Sequence, residues 1–189
     1  MPIDNIIRVS VTGPESSGKT TLANDLHEIF GSGLVEEYAR MHLNHNGKAY
    51  SQKDLLEIAK RQIAMEREAV ESVRKKNVDS NKFSFVFFDT DLYVLKIWSE
   101  LAFGSCESFI LDHLAQDSYD LHLLCKPDIA WEFDELREHP EPHQREFIYH
   151  HYLDALQQQP KPWFEIIGQG PERLALAEKK IRFLRFSYE

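Results

Sequence analysis

Residues 13–20 read Gly13-Pro14-Glu15-Ser16-Ser17-Gly18-Lys19-Thr20, and this motif is the strongest indication of the fold. It satisfies the pattern G-x-x-x-x-G-K-[ST] at every fixed position, and we refer to it as the phosphate loop. The apolar run Ile6–Val11 precedes it and the helical pattern Lys19–Phe30 follows it. Glycines let backbone N–H groups turn toward a phosphate, and the N-terminus of a following helix attracts the same anion. Strand, loop and helix in this order predict a site for a nucleoside triphosphate.

Two side chains of the phosphate loop have a specific expected task. Lys19 is expected to reach the β- and γ-phosphates of ATP, and the Thr20 hydroxyl is expected to ligate Mg²⁺. The predicted ATP-binding residues are Gly13, Pro14, Glu15, Ser16, Ser17, Gly18, Lys19, Thr20 and Thr21. The motif leaves open which molecule accepts the phosphoryl group.

Outward from this loop, short apolar or aromatic runs alternate with helical patterns. The runs are Ile6–Val11, Leu34–Tyr38, Phe83–Asp89, Tyr119–Cys125 and Trp163–Gly168. The segments between them with helical character are Lys19–Phe30, Ser51–Lys76, Leu92–Phe103, Ser105–Ala115, the polar segment Trp131–Gln158, and Pro171–Leu184. Because such alternation produces a parallel sheet covered on both faces, residues 1–189 are predicted to form one α/β domain. Its expected class is a P-loop NTPase with five parallel strands.

Composition narrows the class of protein. The 189 residues include 22 Lys and Arg against 31 Asp and Glu, so the formal net charge is −9. A surface this acidic repels phosphate backbones, which argues against a general nucleic-acid binder. The two cysteines, Cys106 and Cys125, are too few for a disulfide framework, and no run approaches the roughly 20 apolar residues of a membrane span. These features predict a cytoplasmic protein without a membrane segment, and they leave its oligomeric state open.

A carboxylate follows the third predicted strand at its carboxyl end, where ligands bind in open parallel sheets. The run Phe85–Phe88 is apolar on both alternating faces, which is typical of a central strand buried on both sides. Asp89 ends this run in the manner of a Walker B strand and is expected to hold Mg²⁺ directly or through water. The alternative is that Asp89 caps the next helix, and the two roles are compatible.

A second polar cluster, Glu36-Glu37-Tyr38-Ala39-Arg40, ends the second predicted strand. A carboxylate at this place can accept a proton from an attacking hydroxyl or hydrogen-bond a sugar. A solvated, charged strand end is the alternative for both glutamates. The cluster therefore becomes the candidate site for the molecule that receives the phosphoryl group.

An arginine-bearing excursion follows the fourth predicted strand. Residues 131–148 are rich in charge and include Pro140 and Pro142. Small P-loop kinases carry a lid at this place, and its arginines neutralise the charge that develops during phosphoryl transfer. Arg137 and Arg145 are the predicted lid arginines, in a segment expected to be mobile without ligand. A surface helix with ordinary ion pairs is the alternative.

Four motifs of this chain occur together in one known family. They are G-P-E-S-S-G-K-T, E-Y-A-R, F-F-D-T-D and D-x-L-R, which begin at Gly13, Glu37, Phe87 and Asp134. In this combination the chain resembles the ribosylnicotinamide kinase domain of the NadR-type regulators of NAD biosynthesis. That domain is an AAA-like P-loop ATPase related to nucleoside kinases. Bifunctional members also carry an adenylyltransferase domain upstream, and this chain is expected to have the kinase activity alone.

The resemblance implies that ATP phosphorylates the 5′-hydroxyl of nicotinamide riboside, a small nucleoside. It also implies roles for individual residues, with ATP at the phosphate loop, metal and substrate at Asp89 and Asp91, the acceptor at Glu37, Tyr38 and Arg40, and the lid at Arg137 and Arg145. The family has an aromatic residue before E-Y, whereas this chain has Glu36. That carboxylate is expected to pair with the positive pyridinium ring. A kinase for another nucleoside or metabolite, or a regulatory ATPase without an acceptor, remain the alternatives.

Overall fold

The strand that leads into the phosphate loop lies at the centre of a parallel sheet. A computed structural model of the chain describes residues 5–47, 49–77, 83–116 and 118–186. Five strands lie in the order β2-β3-β1-β4-β5, all parallel to their neighbours. Their bounds are Ile6–Thr12 (β1), Gly33–Val35 (β2), Ser84–Asp89 (β3), Leu121–Cys125 (β4) and Trp163–Ile166 (β5). The predicted five-stranded parallel sheet is confirmed.

Helices cover both faces of this sheet. They are Lys19–Phe30 (α1), Tyr38–Asn46 (α2), Gln52–Lys76 (α3), Leu92–Phe103 (α4), Ser108–Gln116 (α5), Pro142–Gln157 (α6) and Gly170–Phe186 (α7). Side chains of β3 alternate between the two faces, because successive residues of a strand point in opposite directions. Phe85 and Phe87 pack with α1 and α7, whereas Val86 and Phe88 pack with α3. The interpretation of this run as a doubly buried strand is confirmed.

Two segments differ from the prediction. The second strand ends at Val35, and Tyr38 begins α2, a helix that the sequence pattern did not indicate. The chain turns there because the Tyr38 N–H donates to Gln62 Oε1 of α3 at 2.9 Å, and Ala39 and Leu43 bury one face of the new helix. Residues 131–148 are also not one excursion, because α6 begins at Pro142 and is anchored in the core by buried side chains such as Tyr149.

We call residues 130–141, which lead from the end of β4 to α6, the bridging loop. The bridging loop contributes no strand to the sheet, and its residue Glu138 contacts Glu15 of the phosphate loop. Among the described residues, no helix combines the length and the apolar character needed to cross a membrane.

Candidate active site

The backbone of the phosphate loop is shaped by two glycines with positive φ. Gly13 has φ +135°, and a Cβ atom there would lie 2.6 Å from the carbonyl oxygen of Cys125 in β4. Gly18 has φ +76° at the N-cap of α1, and no side-chain hydrogen bond caps this helix. The exposed N–H groups at the start of a 12-residue helix therefore face the loop, which is the arrangement that binds a phosphate.

Side chains of the loop fold back on it. Lys19 Nζ donates to the Pro14 carbonyl oxygen at 2.9 Å, and Ser17 Oγ donates to the same oxygen at 2.7 Å. These bonds hold the ammonium group beside the N-terminus of α1, so two positive features lie next to each other. An anion with several negative oxygens is the ligand that this arrangement suits.

A cavity of about 560 Å³ opens beside the phosphate loop. All nine predicted ATP-binding residues line it, from Gly13 to Thr21. Of the other predicted site residues, Glu37, Arg40 and Arg137 line it as well. The structure therefore brings the phosphate loop, one carboxylate of the second cluster and two arginines to a single space.

Asp89 lies buried at the end of β3, next to the loop. The Thr20 side chain forms a hydrogen bond with the Asp89 carboxylate. The Oδ1 atom of Asp89 is buried and has no hydrogen-bond partner among the described residues. Burial raises the pKa of Asp89, and the Thr20 hydrogen bond and the positive charge of Lys19 oppose this rise. A hydroxyl beside a buried carboxylate oxygen that lacks a partner is a fitting donor set for Mg²⁺ that is otherwise held by phosphates and water. The described residues contain no cluster of three His, Cys, Asp or Glu side chains suited to a metal ion.

Glu37 lies at the N-cap of α2, on the cavity wall. Desolvation raises the pKa of its carboxyl group, and the negative charge of Asp89 adds to the rise, whereas Lys19 and Arg40 lower it. Arg40 is held by Asp134 of the bridging loop, with Nη1 and Oδ2 2.7 Å apart. A carboxylate with a raised pKa close to a phosphate site is suited to accept a proton from a substrate hydroxyl.

Three predicted acceptor residues do not line the cavity. Glu36 is exposed, because Glu37 is extended and neighbouring side chains of an extended chain point to opposite sides. Tyr38 packs against the hydrophobic cluster under α3. Asp91 is fully buried, and its carboxylate accepts hydrogen bonds from Ser10 Oγ at 2.5 Å, Thr12 Oγ1 at 2.9 Å and the Tyr93 N–H at 3.0 Å. Asp91 thus caps α4 and joins it to β1, away from the cavity.

Of the two predicted lid arginines, only Arg137 lines the cavity. Arg145 is buried in the first turns of α6, and its Nη1 lies 3.4 Å from the Ser16 carbonyl oxygen and 3.5 Å from that of Ile129. It therefore supports the phosphate loop from the core and is not part of a solvent-facing lid. The predicted ordering of the lid segment when ATP binds stays a prediction.

The bridging loop contacts both ends of the cavity. At the phosphate loop, the Glu15 carboxylate accepts hydrogen bonds from the backbone N–H groups of Glu138, at 3.0 Å, and His139. At the other end, Glu138 accepts a hydrogen bond from the Tyr50 hydroxyl at 3.2 Å, and Asp134 pairs with Arg40. One short segment therefore covers the cavity and ties its two ends together.

The sequence analysis did not identify one further group of residues that line the cavity. Tyr50 and Trp98 belong to this group, with ring centroids 4.7 Å apart and planes at 69°, and we call this surface the aromatic wall. Its apolar members are Leu43, Val94, Ile97 and Leu101. The one available signal was that α4 is apolar on more than one face, which indicates a helix side that faces something other than the sheet.

Comparisons with known proteins agree with this geometry. A family model described as an AAA domain matches residues 8–173. No curated protein sequence matches the chain at a significant level.

Solved structures with the same fold include two of NadR and one of thymidylate kinase. The NadR structure in complex with NR has a TM-score of 0.70 and 22% identity, over 94% of this chain and 50% of that chain. The NadR structure with NAD and AMP-PNP has a TM-score of 0.67 and 21% identity, over 94% and 49%. Thymidylate kinase from Ehrlichia chaffeensis has a TM-score of 0.59 and 19% identity, over 95% and 98%. This chain spans about half the length of the NadR chains, and at these identities the likeness shows a shared fold.

Proposed function

We propose that this chain, which belongs to the AAA domain family of P-loop proteins, is an ATP-dependent kinase for a small nucleoside. The observation that carries the proposal is the cavity of about 560 Å³, which the phosphate loop, Glu37 and the aromatic wall line together. The phosphate loop suits the triphosphate of ATP, and the aromatic wall suits a flat ring of the acceptor. Glu37 lines the same space and is suited to receive the proton of the acceptor hydroxyl.

Charge on the cavity wall supports a neutral or cationic acceptor. Five glutamates line the cavity against one lysine, two arginines and one histidine, and Arg40 is already paired with Asp134. The glutamates are Glu15, Glu37, Glu132, Glu135 and Glu138. A nucleotide acceptor would bring a further phosphate toward these carboxylates, which would repel it. We therefore favour nicotinamide riboside, whose pyridinium ring is positive and can stack on Trp98. The shared fold with a NadR structure in complex with NR supports the same choice.

The proposed reaction transfers the γ-phosphoryl group of ATP in one displacement. The acceptor hydroxyl oxygen bonds to the γ-phosphorus while the bond from that phosphorus to the bridging oxygen of ADP breaks. The hydroxyl proton passes to the Glu37 carboxylate, and the electron pair of the broken bond stays on ADP. Lys19, Arg137 and the N–H groups at the start of α1 stabilise the negative charge on the phosphoryl oxygens.

Thr20 and Asp89 are the residues that would hold Mg²⁺. When bound, this ion supplies positive charge that the phosphate oxygens share, which complements Lys19. We propose a cytoplasmic location, because the two cysteines, Cys106 and Cys125, are too few for a disulfide framework.

The test is to measure ADP formation from ATP with no acceptor and with each member of a panel. The panel contains nicotinamide riboside, uridine, deoxyadenosine and thymidine monophosphate. We expect acceptor-dependent turnover with the highest kcat/KM for nicotinamide riboside. Higher efficiency with another acceptor would overturn the acceptor but keep the kinase. ATP hydrolysis that no acceptor accelerates would instead favour a regulatory ATPase.

A further inference from the structure

Two arginines share one aromatic ring beside the phosphate loop. The guanidinium carbon of Arg137 lies 5.7 Å from the ring centroid of Trp131, and that of Arg145 lies 5.6 Å from the same centroid. Both also reach Ser16, because Arg137 Nη1 lies 3.3 Å from Ser16 Oγ and Arg145 Nη1 lies 3.4 Å from the Ser16 carbonyl oxygen. One indole and one residue of the phosphate loop therefore hold the same pair of cations.

The hydrogen bonds of these two guanidiniums go to uncharged groups. The Asp134 carboxylate feels the positive charge of Arg137, but it is hydrogen-bonded to Arg40. Among the described residues, Arg137 donates to Ser16 and to the Glu132 carbonyl oxygen, and Arg145 donates to the carbonyl oxygens of Ser16 and Ile129. All of these acceptors are neutral. A carboxylate in the place of the indole would hold the arginines more strongly, but it would cancel the charge that a phosphate needs. An aromatic face attracts a cation through its quadrupole and leaves the cation's charge in place.

We propose that Trp131 is a positioning residue that holds Arg137 beside the buried Arg145 at the phosphate loop before a triphosphate binds. The proposal rests on the proposed function, because it assigns the two cations to ATP. Like charges brought to one loop residue repel each other, and attraction of both to the ring offsets that repulsion. Trp131 thus keeps the positive charge of Arg137 next to the phosphate loop. Because that side chain is already ordered, its loss of conformational entropy does not oppose ligand binding.

The two arginines depend on the indole to different degrees. Arg145 is buried and lies on a 16-residue helix, so α6 keeps it in place without Trp131. Arg137 is half-buried on the bridging loop, lines the cavity, and has Trp131 and Ser16 as its side-chain partners. Loss of the indole is therefore expected to act on ligands through Arg137.

The test compares Trp131→Leu, which removes the aromatic face, with Trp131→Phe, which keeps one. The primary readout is the dissociation constant of inorganic tripolyphosphate, measured by titration calorimetry, since this probe needs no acceptor. We expect Trp131→Leu to weaken tripolyphosphate about tenfold and Trp131→Phe to stay within about threefold of the wild type. The melting temperature of each variant separates a general loss of stability from the expected effect.

A double-mutant cycle with Arg137→Ala tests whether Trp131 acts through that arginine. In the Arg137→Ala background, Trp131→Leu is expected to weaken tripolyphosphate by less than about twofold. Wild-type affinity in Trp131→Leu, equal losses in the Leu and Phe variants, or additive losses in the double mutant would each overturn the proposal. A wild-type protein that does not bind tripolyphosphate would overturn it too. If the expected pattern holds while no acceptor is phosphorylated, the positioning role stands and the proposed function fails.

Discussion

The phosphate loop and the aromatic wall line the same cavity, but they are assembled in different ways. The phosphate loop is eight consecutive residues, and its internal bonds join neighbours such as Lys19 and Pro14. The aromatic wall combines Tyr50, which precedes α3, with Trp98 of α4, and these residues meet only in the folded chain. The difference indicates that the proposed site for the phosphate donor is a local property of the backbone, whereas the proposed site for the acceptor depends on packing.

The largest effect is expected at the donor side, from Lys19→Ala. Removal of one preorganised charge from a phosphate site is expected to lower kcat about 10³-fold with every acceptor. Stability is expected to change little, because Lys19 Nζ contacts a loop carbonyl and not the core. The measurement is steady-state ADP formation, with the exposed Lys179→Ala as the matched control. Turnover in Lys19→Ala equal to that of the control would contradict the assignment of the donor side.

The second-largest effect is expected from Glu37→Gln, which should change the acceptor-dependent rate and not the affinity for ATP. Glu37→Gln is expected to lower the acceptor-dependent rate about 10²-fold, because it removes the proposed proton acceptor. ATP affinity is expected to stay nearly unchanged. Glu36→Gln is the matched control, since Glu36 is the neighbouring carboxylate and lies outside the cavity lining.

The pH dependence of the acceptor-dependent rate gives a second measurement of the role of Glu37. A base works in its deprotonated form, so the rate is expected to rise with pH through the raised pKa of Glu37. Glu37→Gln should lose that rise and Glu36→Gln should keep it. A rise that survives in Glu37→Gln would assign the proton transfer to another group.

A tenfold effect is expected at the aromatic wall. Trp98→Leu removes the ring that we propose stacks on the acceptor and is expected to raise the acceptor KM about tenfold, with the KM for ATP unchanged. Phe183→Leu is the control, because this aromatic residue is exposed on α7 and outside the cavity lining. Equal changes in both KM values would show that the wall does not distinguish acceptor from donor.

A separate effect, on stability rather than on activity, concerns the buried carboxyl group of Glu66, on the helix that also carries Gln62. Tyr119 donates its hydroxyl to both Glu66 oxygens, at 2.9 and 3.0 Å, and burial raises the pKa of Glu66 to about 8. Its folded pKa lies above the ordinary value of 4.5, so the stability it contributes is complete below that value and is lost as pH rises through 8.

Glu66→Gln cannot titrate and is expected to lack this loss. The wild type should lose at most about 1.4 kcal/mol of unfolding free energy per pH unit over that range relative to Glu66→Gln. Urea unfolding at pH 5.5, 7 and 8.5 measures the difference, with the exposed Glu57→Gln as the control. A wild type and a Glu66→Gln variant that lose stability in parallel would show that Glu66 titrates normally.

Sequence patterns predicted the fold better than they predicted the cavity wall. The parallel sheet and the phosphate loop follow from local rules, namely strand alternation and a glycine-bearing motif. The helix that starts at Tyr38 was missed because its start depends on Gln62, which lies 24 residues later in the chain. Arg145 was predicted to be in a lid because its charge and the nearby prolines are also typical of exposed segments, and only the packing of α6 shows that it is buried.

The sequence alone predicted the proposed triphosphate site, since eight consecutive residues carry the backbone geometry and the charge that a phosphate requires. Tertiary structure alone decided which carboxylates face that site. Glu37 and Asp89 lie at it, whereas Glu36 points to solvent and Asp91 caps a helix in the core. The physical reason differs for the two pairs. Glu36 and Glu37 are successive residues of an extended chain, and their side chains therefore point to opposite sides. Asp89 and Asp91 diverge because Thr90 between them has φ +85° and because Ser10 and Thr12 hold the Asp91 carboxylate.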